Sequence, residues 1–199
     1  MSRERWDERY GTDELIWKAE PNRFVVEELD ALAPGRALDV ACGGGRNAVW
    51  LASKGWRVTG VDFSRAGLAK ARRLAIDRGV EVTWVEADVV EWQPPMACFD
   101  LVVMAYLHLP SEQRHRALAR AADAVAPGGV LLVVGHDASN LVKGTGGPQD
   151  PAVLFGPEEI VGDLLGFRIE RAERVTRTVV TDTGAETAVD ALVRAVRPV

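Results

Sequence analysis

The chain has little of what builds metal centres or cross-linked scaffolds. Its 199 residues include two cysteines, Cys42 and Cys98, and three histidines, at 108, 115 and 136. Two cysteines make no disulfide framework, and no Cys/His spacing fits a zinc site, so no metal is expected. No apolar run approaches the ~20 residues that a membrane-spanning helix needs, so no membrane partner is expected. The opening MSRERWDERYG lacks the apolar core of a signal peptide, which leads us to expect a cytoplasmic location. Positive charge is scarce as well. Lys and Arg total 24 against 29 Asp and Glu, a net charge of −5. Affinity for phosphate backbones rests on clustered cations, so nucleic acid is not the expected partner. The densest basic run, Arg65 to Arg78, places Leu68, Ala71, Leu74 and Ala75 on the opposite side of a helix and reads as a solvated face. His115, between Arg114 and Arg116, reads as surface.

What the chain does have is alternation. Short apolar runs at 36–41, 56–62, 80–88, 99–106 and 128–137 predict five strands, separated by helical patterns. One of those helices, SEQRHRALARAADAV, has Ser111 as its expected N-cap. Strands alternating with helices predict a parallel sheet covered on both faces. The last third differs. After the helical GPEEIVGDLL, the runs FRIERAERVTRTVV and TAVDALVRAVR flank the turn TDTGAE, which predicts an antiparallel hairpin. The expected fold is α/β: a Rossmann-like, doubly wound, mostly parallel seven-stranded sheet with a C-terminal antiparallel hairpin. We expect a single domain over 1–199, with 1–33 a helical lid or cap and 34–199 the core.

The stretch RALDVACGGGRNAVWLASKGWRVTGVD carries the most chemistry. Glycines after a strand let the backbone take positive φ and approach a ligand closely. In an open parallel sheet, that turn borders the ligand crevice. Asp62 ends the second strand, where a carboxylate accepts hydrogen bonds from ribose hydroxyls. Two classes of cofactor place a ribose there, the nicotinamide dinucleotides and S-adenosylmethionine. Counted from Gly43, the sixth position of the dinucleotide pattern G-x-G-x-x-G is Ala48, a tolerated variant. Asp39, inside the first strand, discriminates better. It would face two phosphates in one case, and an ammonium and a sulfonium in the other, so the cation is favoured. Asp88, followed by Val89, ends the third strand, where an acid meets an adenine amino group or its own backbone.

LDVACGGGRNA, VTGVDFS, VEADV, FDLVVMAYLHL and AVAPGGVLLVV, in this order over roughly 36–136, resemble the successive motifs of the class I S-adenosylmethionine-dependent methyltransferases. CGGGRNAVWLASKGWRVTGVDFS is similar to the branch containing the tellurite-resistance and thiopurine enzymes. Asn47 stands where the broader family has a third glycine, as it does in that branch. The resemblance implies S-adenosylmethionine as cofactor and S-adenosylhomocysteine as product. Ala41, Gly43 and Gly45 would line its methionine part with their backbone, with Asp39 and Asn47 also among the cofactor-binding residues. Asp62 would hold the ribose, Phe63 would pack on the adenine, and Asp88 with Val89 would meet its edge. Ala105 and Tyr106 would sit beside the sulfonium.

The expected reaction is in-line methyl transfer to a small-molecule acceptor, in which alignment and exclusion of water dominate. His108 and His136, on loops after the fourth and fifth strands, are the candidate bases, with Tyr106 beside them and Asp137 on the same rim. Trp6, Tyr10 and Trp17 would form a lid, and the Gly/Pro-rich loop 137–157 is the second candidate for acceptor contacts. The D/N-P-P-Y/F sequence of base-amino methyltransferases is missing after the fourth strand, where MAYLHLP stands; QPP at Gln93–Pro95 precedes that strand. Two other readings remain open, a non-catalytic S-adenosylmethionine-binding module and an NAD-dependent oxidoreductase. The acceptor and the oligomeric state are not specified by the sequence.

Overall fold

A computed structural model describes residues 3–11, 19–182 and 184–199. Trp17 lies outside the described residues. The elements run α1 (Arg3–Tyr10), α2 (Arg23–Leu29), β1 (Arg36–Val40), α3 (Arg46–Ser53), β2 (Arg57–Asp62), α4 (Arg65–Asp77), β3 (Thr83–Glu86), β4 (Phe99–Ala105), α5 (Ser111–Ala124), β5 (Val125–His136), α6 (Asn140–Lys143), α7 (Pro157–Asp163), β6 (Arg168–Thr181) and β7 (Gly184–Val196). The seven strands form one sheet in the order β3-β2-β1-β4-β5-β7-β6. β1 to β5 are parallel, and β7 runs antiparallel to both β5 and β6. The expected doubly wound sheet with its terminal hairpin is the observed one. β1 pairs with β2 on one side and β4 on the other, so the chain reverses its direction of winding there. That switch point opens a crevice at the carboxyl ends of the strands.

Both faces of the central strands are buried, and alternation along each strand divides them. Leu38, Val40, Val102, Met104, Leu131, Val133, Ala191 and Val193 pack in one cluster with Leu118 of α5 and Ile160 of α7. Ala37, Leu101, Val103, Leu132, Val134 and Leu192 pack in the other, with Val25 and Leu29 of α2 and Ala48 and Leu51 of α3. Asp39, His136 and Asp190 stand two residues beyond members of this second set, so the same face continues as polar side chains at the rim. α4 buries the stripe Gly67, Leu68, Ala71, Leu74 and Ala75, as its periodicity predicts, and Ser64 caps it by accepting from the Gly67 amide at 3.0 Å.

Three expectations need correction. Ser111 is the first helical residue, not the cap: the extended chain runs through Pro110, which occupies the N-cap without a side-chain hydrogen bond. The third strand is trimmed from 80–88 to Thr83–Glu86, because this edge strand pairs only with Thr59–Asp62 of β2. Loop 137–157 is not structureless. Asn140 donates to the carbonyls of Thr145 and Gly146 and accepts from the Val189 amide at 2.8 Å, tying α6 to β7 beyond the end of β5. Among the described residues, no helix is long and apolar enough to cross a membrane, and no group of three or more His, Cys, Asp or Glu side chains is placed to hold a metal.

Candidate active site

The turn from β1 into α3 holds three residues at positive φ, Ala41 (56°), Gly43 (53°) and Gly45 (78°). Only glycine fits at 45: a Cβ there would lie 2.7 Å from both the Ala71 Cβ and the Trp84 ring. Asp62 fixes the turn. Its Oδ2 accepts from the Gly43 amide and its Oδ1 from the Ser64 amide, each at 2.8 Å, so one carboxylate joins two loops at the strand ends. Burial raises its pKa, with those two amides opposing the shift. Asp39 is buried deeper. Burial raises its pKa to about 7, against a hydrogen bond from the Ala48 backbone. Its Oδ2 is buried and has no hydrogen-bond partner among the described residues.

Asn47 is used differently. Its side-chain oxygen accepts from the Asn22 amide at 2.9 Å, and the Asn22 side chain in turn caps α2. Asn47 therefore ties the N-terminal segment to the glycine turn. Phe63, Asp88, Val90, Leu109 and Gln113 line a cleft of about 280 Å³. Phe63 is half-buried and Val89 buried. Asp88 is exposed, and its Oδ1 accepts from the Val90 amide at 2.9 Å, which serves its own turn. α1 covers this end. Asp7 accepts from the Ser64 hydroxyl at 2.6 Å and the Ala66 amide at 3.2 Å, Trp6 stacks on Tyr10, and the Tyr10 hydroxyl stands where a methyl group on Gly43 would be. A larger groove of about 930 Å³, lined by Trp56, Arg57, Val58, Val82 and Trp84, lies at the opposite end of β2 and β3 and contains none of these groups.

Past the switch point, side chains from the ends of β4 and β5 meet side chains from within β6 and β7. Tyr106 follows β4 at φ 58° and donates from its hydroxyl to Asp190 Oδ2 at 2.6 Å. Arg177 of β6 donates to the same oxygen at 2.8 Å. His136 Nδ1 stands 3.2 Å from Asp190 Oδ1, off the line of the ring N–H, and neither atom has a hydrogen-bond partner elsewhere among the described residues. Asp190 is fully buried. Burial works against its ionisation, yet His136, Tyr106 and Arg177 together hold its pKa below the usual carboxylate value. Tyr106 is pushed far up by burial and by the Asp190 charge, so its hydroxyl keeps its proton. The ring of His136 meets Tyr106 edge-on at 5.0 Å between centroids and stacks on His108 at 5.2 Å. His108 Nδ1 faces the Val153 carbonyl at 3.3 Å. Burial, with His136 alongside, lowers its pKa to about 4, so it is neutral at pH 7.

Residues 37–129 match a family described as a methyltransferase domain. The match runs from β1 into β5 and takes in the glycine turn and the switch point. A demethylmenaquinone methyltransferase from Thermus thermophilus is 36% identical over 127 residues, covering 63% of this chain and 56% of that one. The chain spans about half the length of the curated relatives it matches. Among solved structures, the N-methyltransferase NodS from Bradyrhizobium japonicum in complex with S-adenosyl-L-homocysteine superposes with a TM-score of 0.75 at 19% identity, over 99% of this chain and 98% of NodS. TehB from Haemophilus influenzae superposes with a TM-score of 0.74 at 17% identity, over 98% of this chain and 66% of TehB. At these identities the likeness is one of fold.

The structure adds groups that the motifs do not mark. Asp190 and Arg177 lie in hairpin strands, where the available signal is a single acid inside TAVDALV at a position whose neighbours two residues away are buried. Arg46 sits at the head of α3, within electrostatic reach of Tyr106, Asp39, Tyr10 and Arg177, and burial lowers its pKa. Asp137 is not a rim base: it is fully buried, accepts from the Ser139 amide and pairs with Arg174 at 3.0 Å. His115 is half-exposed beside Asp163, as expected, whereas its neighbour Arg114 is 1% exposed, bonded to Glu159 at 2.7 Å and set over the Phe155 ring.

Proposed function

We propose that the chain transfers a methyl group from S-adenosylmethionine to a small-molecule acceptor, as a single domain of cytoplasmic setting, with the described residues of the N-terminal segment closing over the site. The observation that carries this reading is Asp39, a buried carboxyl with an oxygen lacking a partner, held beside a turn of positive-φ residues. A carboxylate there suits a ligand that presents an ammonium and is ill-suited to a diphosphate. The residues present fit the cofactor. Ala41, Gly43 and Gly45 offer backbone to its methionine part and Asp39 offers charge. Asp62, with lone pairs left beyond its two amides, takes the ribose hydroxyls. Phe63 and Val89 flank the adenine, and Asp88 Oδ2 accepts from its amino group. When bound, the cofactor supplies a methyl group on a sulfonium, already activated for displacement.

The chain's own work is then alignment, exclusion of water and control of the acceptor's proton. Tyr106, Ala105, His108 and His136 border the acceptor side. A net charge of −5 and the lack of a D/N-P-P-Y/F sequence support a small acceptor rather than a nucleic acid, as does the relative named for demethylmenaquinone. The test is transfer of labelled methyl groups from S-adenosylmethionine across a panel of small hydroxyl, thiol and amine compounds. Incorporation into at least one supports the reading. Binding of the cofactor with no incorporation into any would point to a sensing module instead.

A further inference from the structure

Three groups around Asp190 do more than border the site. Its Oδ2 is filled by two donors, the Tyr106 hydroxyl and the Arg177 Nε, so its Oδ1 is left for His136 alone. The charge of a buried carboxylate oxygen 3.2 Å away favours the hydrogen on the nearer ring nitrogen, even though the two atoms lie off the hydrogen-bond line. That places the proton of a neutral His136 on Nδ1 and leaves Nε2 as the bare nitrogen. Gly147 packs against the same ring at φ 78°, so close that a Cβ there would come within 2.6–2.8 Å of ring atoms, and only glycine fits. The neighbouring ring reinforces the assignment. His108, whose Nδ1 faces a carbonyl, stacks on His136 as a neutral imidazole and so does not repel a charge forming there.

We infer that His136 Nε2 is the proton acceptor for a hydroxyl-bearing methyl acceptor, and that Asp190 is the positioning residue that sets its tautomer and balances its charge. The inference rests on the methyltransferase reading. Amines and sulfides offer a lone pair without losing a proton first, so they need no such device. A hydroxyl does. In the step, the O–H bond breaks and its proton passes to Nε2. The oxygen's electron pair forms the bond to the methyl carbon, and the pair of the broken carbon–sulfur bond stays on sulfur as a neutral thioether. The imidazolium that results lies beside the Asp190 carboxylate, and Arg177 keeps the cluster from accumulating negative charge before the transfer.

The test begins with nitrogen-15 NMR of the imidazole rings in the full chain, with His136→Asn assigning the signal. The expected result in the wild type is a protonated Nδ1 and a pyridine-like Nε2. In Asp190→Asn the amide oxygen stays with Tyr106 and Arg177, so the amide NH₂ faces Nδ1 and the tautomer reverses. A wild-type protein with Nε2 protonated overturns the inference, and this arm needs no variant to fold. So does an unchanged tautomer in a folded Asp190→Asn protein. In the second arm, labelled methyl transfer goes to hydroxyl members of the panel and falls by about 10²- to 10⁴-fold in Asp190→Asn. Transfer only to thiols or amines, or to no hydroxyl compound, overturns it. Titration of the same samples with S-adenosylhomocysteine keeps the two claims apart: loss of binding in the wild type sinks the methyltransferase reading, whereas intact binding with the wrong tautomer sinks the dyad alone.

Discussion

The two halves of the rim solve different problems with different materials. On the β1–β3 side, the site is made of main chain: positive-φ turns at Ala41, Gly43 and Gly45, with Asp62 reaching 2.8 Å to amides of two loops. On the β4–β7 side it is made of side chains, where Tyr106, His136 and Arg177 meet on the single carboxylate of Asp190. A backbone cradle can be assembled from neighbours in sequence, and it suits a ligand that does not change. A cluster of side chains can be altered one residue at a time without disturbing the turns, which suits the half proposed to face the acceptor.

The sharpest way to break the contrast is Asp62→Ala. Hydrogen bonds to a charged group contribute roughly 1.5–3 kcal/mol each, so loss of both loop anchors is expected to weaken S-adenosylhomocysteine binding about 10³-fold by calorimetry. An affinity within tenfold of the wild type would mean that the turns hold themselves. Next comes Gly45→Val, which forces a side chain into the 2.7 Å gap against Ala71 and Trp84 at positive φ. Overpacking and backbone strain together should cost about 3 kcal/mol, read as a lower denaturation midpoint at unchanged slope.

Acidification sets one half against the other. Burial lifts Asp39 from the ordinary carboxyl value of 3.8 to about 7 in the folded chain. The folded state holds a proton there that the unfolded state has lost, so this group adds stability as pH falls from 7 towards 4. His108 titrates at about 4 against 6.5, so the unfolded state takes up a proton first and stability falls over nearly the same window. The two slopes oppose each other at about 1.4 kcal/mol per pH unit. Asp39→Asn should therefore expose a protein that weakens between pH 6.5 and 4, and His108→Phe one that strengthens there. Parallel behaviour of the two variants in denaturant melts would contradict the assignment. The smallest effect belongs to Asp88→Ala. One exposed hydrogen bond is involved, so about a fivefold loss of S-adenosylhomocysteine affinity is expected, and no measurable change would remove Asp88 from the adenine edge.

The same contrast explains what could be read in advance. The glycine turn and Asp62 were legible because each is defined by its immediate neighbours and by spacing from one strand end to the next; Asp88, expected to end the third strand, lies two residues past it. The α4 stripe was legible for the same reason. Asp190 meets Tyr106 across 84 residues of chain, and nothing local in TAVDALV says which strand end it will reach. Arg114 was illegible in a different way: an arginine in a helix rich in charge looks solvated until α7 and Phe155 close over it. Asn47 fitted the family pattern, yet its side chain is given to Asn22, a partnership that depends on where α2 docks.

The most direct test of the account is titration of the wild-type protein with S-adenosylhomocysteine at pH 6 and pH 8. The account predicts one site, tightening about tenfold between the two as Asp39 gives up its proton to face the ligand's ammonium. No heat at millimolar ligand, or a site that takes NADH in its place, would contradict it.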